Sequence, residues 1–402
     1  MEWKIPEYNL DWKDGKVYAK DIPRDVVEQK FQLWHNFVEI VLRSRNVQMP
    51  VGECNRLYEK SPRDLAKLFD TFNEKYVPQL NTAEKETYDY LLQDNTLYAY
   101  VFVRWDGGKP VRMLYMQDVV LNDPHDRIYV EFANQWGKSF ILQVRTVIGF
   151  LRHHGRGHTV ILVSRSESQN NNNMQAIKKM LSDSSLYFKS LSDSMSVTER
   201  KTEQGFYNRI VCVIAGESSL AFSPNDLLLD EFEFYKEEAH LTLRYYFDKI
   251  YDPRTQETNG KIAIFSNPNG INFVSKDLQL RTYPDGRFVF HTYNARYIDR
   301  PSADPIRWEM GRKYKTTADF ESTMNAGRAA SENSCFSEAA LALTNNDTLQ
   351  NVGESILVGQ NNVAFALDLG FVRDQCCLSA GFSQIEHNPV TNKEEPIYYF
   401  VY

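Results

Sequence analysis

Apolar residues recur at helical spacing through the first hundred residues. Within residues 26–34 and again within 65–72 they fall at positions i, i+3 and i+4, which places them on one face of an amphipathic helix. Farther along, the aromatic stretch 98–104 leads into an Asp-Gly-Gly turn at residues 106–108, a pattern typical of a strand pair. We therefore predict a mainly helical region over residues 1–110 that a strand pair closes.

From residue 111 onward, short apolar runs alternate with helical segments. An apolar run of roughly four to eight residues between turn signals is typical of a strand buried on both faces of a parallel sheet. The predicted strands cover residues 128–132, 158–164, 210–215, 226–231 and 261–266. Helices are predicted over residues 140–151, 174–181 and 318–330, and the asparagine run 170–173 is predicted to be a solvated loop. Residues 111–345 are therefore predicted to form an α/β domain with a mostly parallel sheet.

Size and composition fit a globular chain of two or three domains. Of the 402 residues, 42% are hydrophobic and 13% are aromatic, which is sufficient for real cores. No stretch approaches the roughly 18 uninterrupted apolar residues of a membrane span, and the charged N-terminus lacks the apolar core of a signal peptide. These features predict a cytoplasmic protein that makes no membrane contact.

Charge and cysteine content exclude several classes of site. The net charge of −7 argues against a surface that is basic throughout, so any contact with nucleic acid is expected from local patches. The five cysteines include no C-x-x-C pair, which argues against a zinc module and a disulfide framework. Reduced thiols are expected.

The turn after the predicted strand 128–132 carries the first candidate site. Gly137, Lys138 and Ser139 stand at the start of the next helix, where free backbone N–H groups and the positive end of the helix dipole favour a phosphate. The lysine adds a mobile cation and the serine a hydroxyl for Mg²⁺. These residues form the second half of a P-loop, although Phe132 replaces the first glycine of G-x-x-x-x-G-K-[ST]. This segment alone leaves open an ordinary strand-turn-helix with a chance GKS.

Two carboxylates end the predicted strand 226–231. Asp230 and Glu231 are therefore expected at the carboxyl edge of the sheet, which also holds the GKS turn. An aspartate there can hold the Mg²⁺ that bridges nucleotide phosphates, and the adjacent glutamate can polarise the attacking water as a general base. The alternative is a strand that runs into an acidic helix start.

Small polar residues end the predicted strand 261–266. Ser266 and Asn267 precede a Pro-Asn-Gly turn, and their hydrogen-bonding groups suit a sensor of the γ-phosphate. The alternative is a strand followed by an ordinary turn.

Five ordered segments resemble the large terminase subunit of tailed viruses, the motor that packages DNA into preformed heads. They are ANQWGKS (133–139), VSRSESQ (163–169), LLLDEFEF (227–234), FSNPNG (265–270) and FALDLGFVRD (365–374). The resemblance, over about residues 111–380, implies that Lys138 and Ser139 bind phosphates and Mg²⁺, that Asp230 binds the metal and that Glu231 is the catalytic carboxylate. Ser266 and Asn267 would form the motif that couples hydrolysis to DNA movement.

The resemblance also implies the rest of the nucleotide site. Gln117 matches the glutamine that recognises adenine in the family, and the implied ATP-binding loop consists of Asn134, Gln135, Trp136, Gly137, Lys138 and Ser139. One departure concerns an arginine that many large terminases carry just before the position of Gln135, where this chain has Asn134. Either Arg165, after the next strand, takes its place, or an arginine enters from a neighbouring subunit.

The resemblance further implies that residues 346–402 hold a linker and the start of a ribonuclease H-like nuclease domain. The apolar run 363–370 carries one carboxylate, Asp368, as expected for the first ligand of Mg²⁺ or Mn²⁺, and Asp374 is a candidate assistant. Cleavage with two metal ions needs several clustered carboxylates, and we find no convincing second ligand after Asp368. We therefore expect an incomplete nuclease in a chain that stops within an apolar strand at residues 397–402.

The expected function is an ATP-driven viral DNA-packaging motor that moves double-stranded DNA into a procapsid, with a C-terminal metal-dependent endonuclease that is incomplete in this chain. The implied partners are the portal protein, the small terminase subunit and further copies of the chain in a ring, in the host cytoplasm and transiently on the procapsid. The alternative is a helicase-like or other nucleic-acid-linked P-loop ATPase without packaging activity. A third possibility is a scaffold that binds nucleotide without turnover, which Phe132 and Asn134 suggest.

Overall fold

The computed structural model describes most of the chain. The described residues are 3–152, 157–186, 192–194, 196–201, 205–216, 224–236, 238–240, 243, 260–269, 273–283, 285–328, 363–368, 377–388 and 393–401. Contacts divide the chain into two compact units, Met1–Glu332 and Asn333–Tyr402. The boundaries predicted at residues 110 and 345 remain predictions.

Helices dominate the start of the first unit, as the apolar spacing predicted. In chain order the helices are α1 (Val26–Ser44), α2 (Glu53–Lys60), α3 (Pro62–Thr71), α4 (Thr82–Leu91), α5 (Asn95–Phe102), α6 (Tyr115–Asn122), α7 (Lys138–Arg152), α8 (Glu167–Asp183), α9 (Phe273–Leu280), α10 (Pro305–Tyr314) and α11 (Thr317–Phe320). A π-helical turn over Glu321–Asn325 follows α11. Among the described helices, none combines the length and the apolar character needed to cross a membrane.

A mostly parallel sheet forms the centre of this unit. Its strands are β1 (Lys16–Tyr18), β4 (Arg127–Phe132), β5 (Thr159–Ser164), β6 (Ser192–Asp193), β7 (Val197–Lys201), β8 (Tyr207–Ile214), β9 (Asp226–Asp230), β10 (Lys261–Ser266) and β11 (His291–Ala295). Within the described part of the chain their order is β1-β11-β4-β10-β9-β5-β8-β7-β6. Neighbours from β1 to β8 are parallel, and β7 is antiparallel to both β8 and β6. The predicted α/β core with its mostly parallel sheet is confirmed.

Each face of the sheet is covered by an apolar cluster. On one face, Val130 and Phe132 pack in a cluster with α7 and with aromatic residues of the N-terminal helices, such as Trp34 and Tyr100. On the other face, Tyr129 belongs to a second cluster, which includes residues of β5, β9 and β10. Because both faces are covered, every residue of β4 is buried, including the charged Arg127 and Glu131. Its other four residues are apolar, as expected for a strand buried on both faces.

The predicted strand over residues 98–104 is wrong for most of its length. Residues 98–102 belong to α5, which begins after Asp94, whose side chain accepts a hydrogen bond from the Leu97 N–H. All but the first residue of α5 are buried, so packing on all sides outweighs the strand preference of its aromatic residues. Only β2 (Arg104–Trp105) and β3 (Lys109–Pro110) pair across the predicted turn.

The asparagine run 170–173 lies inside α8, so the predicted solvated loop is also wrong. Ser166 caps this helix by accepting a hydrogen bond from the Gln169 N–H at 3.3 Å. Asn170 and Asn173 are buried, and the Asn170 amide donates to the Cys212 carbonyl at 3.1 Å. A tertiary partner thus binds the Asn170 Nδ2, while its Oδ1 is buried without a partner among the described residues, and local sequence would favour such side chains in loops.

The predicted helix 318–330 is correct only at its start, where α11 and the π-helical turn run to Asn325. Ala326 then adopts φ 48°, which ends the helical path. Residues 329–330 lie outside the described part. The preceding helix α10 had no counterpart in the prediction.

The second unit contains a three-stranded antiparallel sheet. Its described strands are β12 (Val363–Asp368), β13 (Cys377–Asn388) and β14 (Lys393–Val401), in that order across the sheet. The predicted strands at residues 363–370 and 397–402 correspond to β12 and β14. Asp374 and the predicted linker around residues 346–362 lie outside the described residues, and the assignment to a ribonuclease H-like domain stays a prediction.

Candidate nucleotide-binding site

The loop between β4 and α7 adopts a tight turn in which glycine is required. Gln135 and Gly137 have φ angles of 69° and 73°, in the left-handed region that favours glycine. A Cβ atom on Gly137 would lie 2.8 Å from Nε2 of Gln117. That same Nε2 donates to the Trp136 carbonyl at 2.8 Å, so the glutamine predicted to recognise adenine packs directly against this loop.

Backbone hydrogen bonds fix the loop to neighbouring elements. The Ala133 N–H donates to Ala295 of β11, and the Asn134 N–H donates to Thr323 in the π-helical turn, each at 2.8 Å. Trp136 is fully buried and donates through Nε1 to the Arg296 carbonyl at 2.8 Å. Its ring therefore anchors the loop, and its predicted role in ATP binding can involve only its backbone.

Lys138 folds back onto the loop that carries it. Its ammonium group donates to the Phe132 carbonyl at 2.8 Å and also to Oδ1 of Asn267. The Asn267 Nδ2 in turn donates to Oδ1 of Asn134 at 2.7 Å. Burial lowers the pKa of Lys138 to about 8, against the opposing effect of the negative charges of Asp230 and Glu231. Lys138, Asn267 and the loop thus form one hydrogen-bonded group.

Asp230 ends β9 as a buried carboxylate with only one satisfied oxygen. Its Oδ2 accepts hydrogen bonds from Nε2 of Gln169 at 2.9 Å and from Nδ2 of Asn173 at 3.1 Å. Its Oδ1 is buried without a hydrogen-bond partner in the described part of the chain. Burial raises the pKa of Asp230, and its hydrogen bond from Asn173 opposes this shift.

Glu231 adopts a left-handed backbone conformation directly after Asp230. Its φ and ψ angles are 57° and 40°, values that are uncommon for a residue with a side chain and that are retained mainly where the surroundings enforce them. The Glu231 N–H donates to the Phe265 carbonyl of β10 at 2.7 Å, which holds the turn. The side chain is half-buried, so it is accessible at the edge of the sheet.

Strand order explains why these residues meet. Strand β10 lies between β4 and β9 and is parallel to both, so residues that follow the three strands share the carboxyl edge. Asn267, after β10, therefore lies between the loop of Lys138 and the carboxylates that follow β9. The structure brings together Lys138, Asn134 and Asn267 by direct contact.

Ser266 is buried beneath this edge. Its hydroxyl accepts a hydrogen bond from the Glu233 N–H at 3.1 Å and donates to the Asn267 carbonyl at 3.1 Å. Glu233 accepts hydrogen bonds from Arg328, which also forms an ion pair with Glu131 at 2.6 Å. Ser266 therefore connects the strand end to a buried ionic network rather than facing a ligand directly.

Arg307 contacts the loop, whereas Arg165 does not contact it in the described structure. With the Gln135 amide oriented to satisfy both groups, its oxygen accepts hydrogen bonds from Nη1 and Nη2 of Arg307 at 2.7 and 3.0 Å. Both residues line a cavity of 360 Å³ beside the loop. Arg165 is exposed, and its guanidinium lies 5.4 Å from the centre of the Phe234 ring. Arg307 is thus the cation that sequence reasoning missed.

Sequence reasoning also missed the residues that hold Asp230. Gln169 and Asn173 are four positions apart on α8, a spacing that places two side chains on the same face of a helix. Ser166, with its capping preference three residues before Gln169, was a signal for this helix. Because residues 170–173 were predicted to form a loop, the start of this helix at Ser166 was not recognised. The remaining predicted site residues, Ser139 and Asp368, are respectively exposed at the start of α7 and at the end of β12, where the side chain lies outside the described part.

Comparisons with known proteins identify phage large terminases as structural neighbours. No protein-family model and no curated protein matches the chain. The large terminase ATPase domain of Thermus phage P74-26 is 14% identical, with a TM-score of 0.41 over 53% of this chain and 92% of that one. The large terminase of bacteriophage HK97 is 11% identical, with a TM-score of 0.44 over 77% and 67%.

A third neighbour is the large terminase of a thermophilic bacteriophage. It is 13% identical, with a TM-score of 0.42, and the match covers 67% of this chain but only 63% of that one. All three are phage large terminases, the family that the sequence motifs resemble. Further structures of the third neighbour contain ADP or ATP-γ-S. The functional proposal for this chain rests on the geometry of its own site.

The residues at this edge fit a Mg²⁺ ion shared with a nucleotide. Asp230 presents a buried oxygen without a partner among the described residues, and Ser139 provides an exposed hydroxyl at the helix start. Mg²⁺ in nucleotide sites takes one or two protein ligands and the rest from phosphates and water. Within the described residues there is no group of three or more His, Cys, Asp or Glu side chains that could hold a metal without such help.

Proposed function

We propose that this chain is the ATP-hydrolysing subunit of a viral DNA-packaging motor, a large terminase subunit. The observation that supports this proposal is the arrangement at the carboxyl edge of the sheet. There Lys138 follows β4, Asn267 follows β10, Asp230 ends β9 and Glu231 follows it. We infer that Lys138 binds phosphate, that Asp230 binds the metal and that Glu231 is the base, because all three lie at one edge of the sheet.

In this proposal, the loop after β4 and the first turn of α7 bind the phosphates. Free N–H groups at the start of this helix and the Lys138 ammonium offer positive charge to an oxyanion. In the structure, Lys138 donates hydrogen bonds to the Phe132 carbonyl and to Asn267. A bound phosphate would replace these two acceptors. The nearby charges of Asp230 and Glu231 favour the protonated lysine, which keeps the cation available.

The chemistry of hydrolysis requires a base and a metal. Mg²⁺, when bound at Ser139 and Asp230, would neutralise charge on the phosphates. Glu231 is the proposed general base that accepts a proton from the attacking water. Its left-handed backbone is held by the hydrogen bond from its N–H to the Phe265 carbonyl, so the fold fixes the point at the sheet edge from which the side chain extends.

Arg307 and Asn267 are proposed to sense the state of the nucleotide. The Arg307 guanidinium contacts Gln135 within the loop, and in this proposal it stabilises charge on the transferred phosphoryl group. Asn267 contacts both Lys138 and Asn134, so replacement of these contacts by a phosphate would alter the end of β10. Ser266, bonded to the Glu233 N–H, extends that change into the buried ionic network.

The proposed work of this cycle is the movement of double-stranded DNA into a procapsid. The proposed partners are the portal protein, the small terminase subunit and further copies of the chain in a ring, with the host cytoplasm as the location. A metal-dependent endonuclease in the second unit, with Asp368 as its first ligand for Mg²⁺ or Mn²⁺, is part of the same proposal.

The test compares two variants that affect different steps. Lys138→Ala is expected to lose both nucleotide binding and turnover, because lysine contacts ground-state phosphates. Glu231→Gln is expected to bind nucleotide normally and to lose turnover by a factor of at least about 10², because the base acts in the transition state. Binding is measured with a fluorescent ATP analogue and turnover by phosphate release, with Lys109→Ala, a partly exposed lysine paired with Asp106, as the control.

DNA dependence decides between packaging and other ATPase functions. Turnover by the unaltered chain is expected to rise when double-stranded DNA is added. An equal loss of nucleotide affinity in both variants would contradict the assignment of the site. An ATP turnover rate that does not change when DNA is added would contradict the packaging function but not the proposed ATPase activity.

A further inference from the structure

A second cavity lies at the opposite, amino-terminal edge of the sheet. It has a volume of 440 Å³ and is bounded by the starts of β9 and β10 and by the second half of α7. Lys261 and Asp226, which begin β10 and β9, are direct neighbours in the parallel register. The cavity is therefore separated from the nucleotide site by the length of these strands and by about 10 Å of helix between Lys138 and Arg145.

Arg145 lines this cavity as a buried cation without a bonding partner. It is 8% exposed, and in the described part of the chain it makes neither a hydrogen bond nor an ion pair. Its Nη1 is fully buried and unsatisfied. Burial lowers its pKa, and only the more distant negative charges of Asp226 and Asp123, together with Tyr293, oppose this shift. The N–H groups of a guanidinium point in fixed directions, and here they have no hydrogen-bond acceptor among the described residues.

Lys261 places a second cation beside the first. Its side chain also lines the cavity, and its ammonium group has no hydrogen bond or ion pair among the described residues. Burial lowers the pKa of Lys261, and the neighbouring charge of Arg145 lowers it further. Two like charges in a half-enclosed space repel each other, so the fold maintains an arrangement that an anion between them would stabilise.

The other charged groups at the cavity already have partners. Arg152 donates through Nη1 to Oδ1 of Asn95 at 2.7 Å and to the Gln93 carbonyl at 3.1 Å. Asp226 lies 2.9 Å from Nε2 of His158. Asp126 also lines the cavity. The negative charges of Asp126 and Asp226 act on Lys261, so they offset part of the positive charge that an anion would meet there.

We propose that this cavity binds a phosphoryl oxyanion, either inorganic phosphate or the terminal phosphate of a nucleotide, through Arg145 and Lys261. The planar guanidinium can donate two parallel hydrogen bonds to two oxygens of a tetrahedral anion, and the ammonium adds a point charge. The cavity volume accommodates such an ion together with several waters. The site is independent of ATP hydrolysis at Lys138.

The test is carried out in the full chain with Lys138→Ala, which removes phosphate binding at the first site. Inorganic phosphate is titrated by calorimetry at constant ionic strength, and ATP is titrated separately. One saturable phosphate site is expected. Its affinity should fall on the order of tenfold or more when Arg145→Met or Lys261→Met is added, because each removes charge-assisted hydrogen bonds. Arg287→Met, an exposed guanidinium paired with Asp285, is the matched control and should change nothing.

Thermal unfolding of the same proteins separates binding from folding. Arg145→Met should unfold at the same temperature as its parent or higher without phosphate, because it removes an unpaired buried charge, and phosphate should then no longer stabilise it. ATP binding that depends on Arg145 would identify the terminal phosphate of a nucleotide as a ligand. Absence of saturable phosphate binding in the Lys138→Ala chain, or equal binding after both substitutions, would show that the cavity holds only water and would overturn the proposal.

Discussion

Asp230→Asn is expected to stabilise the nucleotide-free protein and at the same time to abolish ATP turnover. Asparagine has the shape of aspartate, and its amide oxygen can accept the two hydrogen bonds that Gln169 and Asn173 now donate to Oδ2. The substitution therefore keeps the satisfied half of the group. It removes the charge whose other oxygen, Oδ1, is buried without a partner among the described residues.

The magnitude follows from that unsatisfied oxygen. Leaving a buried acceptor without a hydrogen bond costs about 1–3 kcal/mol. The new amide N–H₂ occupies the same unpartnered position, so part of that penalty persists and a gain of about 1 kcal/mol is expected. At an unfolding entropy of roughly 2.1 cal/mol/K per residue, the unit Met1–Glu332 would melt about 1–2 °C higher.

The gain should depend on pH in one direction. Burial raises the pKa of Asp230 in the folded state, above the value of about 3.9 for an unfolded aspartate. The folded carboxyl group therefore binds a proton more readily, and stability is lost as pH rises through the folded pKa. The Asp230→Asn variant does not lose stability in this way. Its gain in free energy of unfolding over the unaltered protein should be absent below about pH 3.9 and complete above the folded pKa of Asp230.

Urea unfolding at neutral and acidic pH measures the effect, with ATP turnover followed in parallel. Asp285→Asn is the control, because this carboxylate is exposed and paired with Arg287, and such surface changes stay within about 0.5 kcal/mol. A lower unfolding midpoint for Asp230→Asn at neutral pH, or an advantage that is the same at every pH, would refute the reasoning. Retained turnover would refute the role of Asp230 in metal binding.

Three further outcomes are expected. Burial lowers the pKa of Lys138 to about 8, so nucleotide affinity measured by fluorescence titration should weaken as pH rises through 8 and the lysine loses its proton; a constant affinity would contradict the lysine's role. Replacing both Ser266 and Asn267 by alanine should impair DNA translocation more than ATP binding, and unchanged translocation in a packaging assay would exclude coupling through them. Lys30→Met should destabilise the protein by about 3–5 kcal/mol in urea unfolding, because Lys30 lies 2.7 and 2.9 Å from the buried carboxylates of Asp94 and Asp118; a stability change under about 1 kcal/mol would contradict this stabilising role of the buried lysine.

Local patterns in the sequence determined the central strands of the sheet and where those strands end. The apolar runs at β4, β5, β9 and β10 were predicted nearly to the residue, because a strand buried on both faces admits few polar side chains. The positions of Lys138 and Asp230 followed from the same patterns, since a loop before a helix and the end of a parallel strand have a fixed place at the sheet edge.

Contacts between distant segments were decided only by the tertiary structure. The sequence contains no signal that Arg307 reaches Gln135 or that Asn267 bonds to Lys138, because such contacts depend on which strands are neighbours and how helices pack on them. The run 170–173 shows the same limit, since Asn173 becomes helical and buried where Asp230 accepts its hydrogen bond.

Arg145 illustrates the difference most clearly. The sequence places it on the apolar face of a helix, where local spacing predicts only a helical residue. The fold buries its guanidinium beside Lys261 and provides no acceptor for Nη1 among the described residues. Whether a charged side chain is satisfied depends on every group that surrounds it in space, and that set is assembled only when the chain has folded.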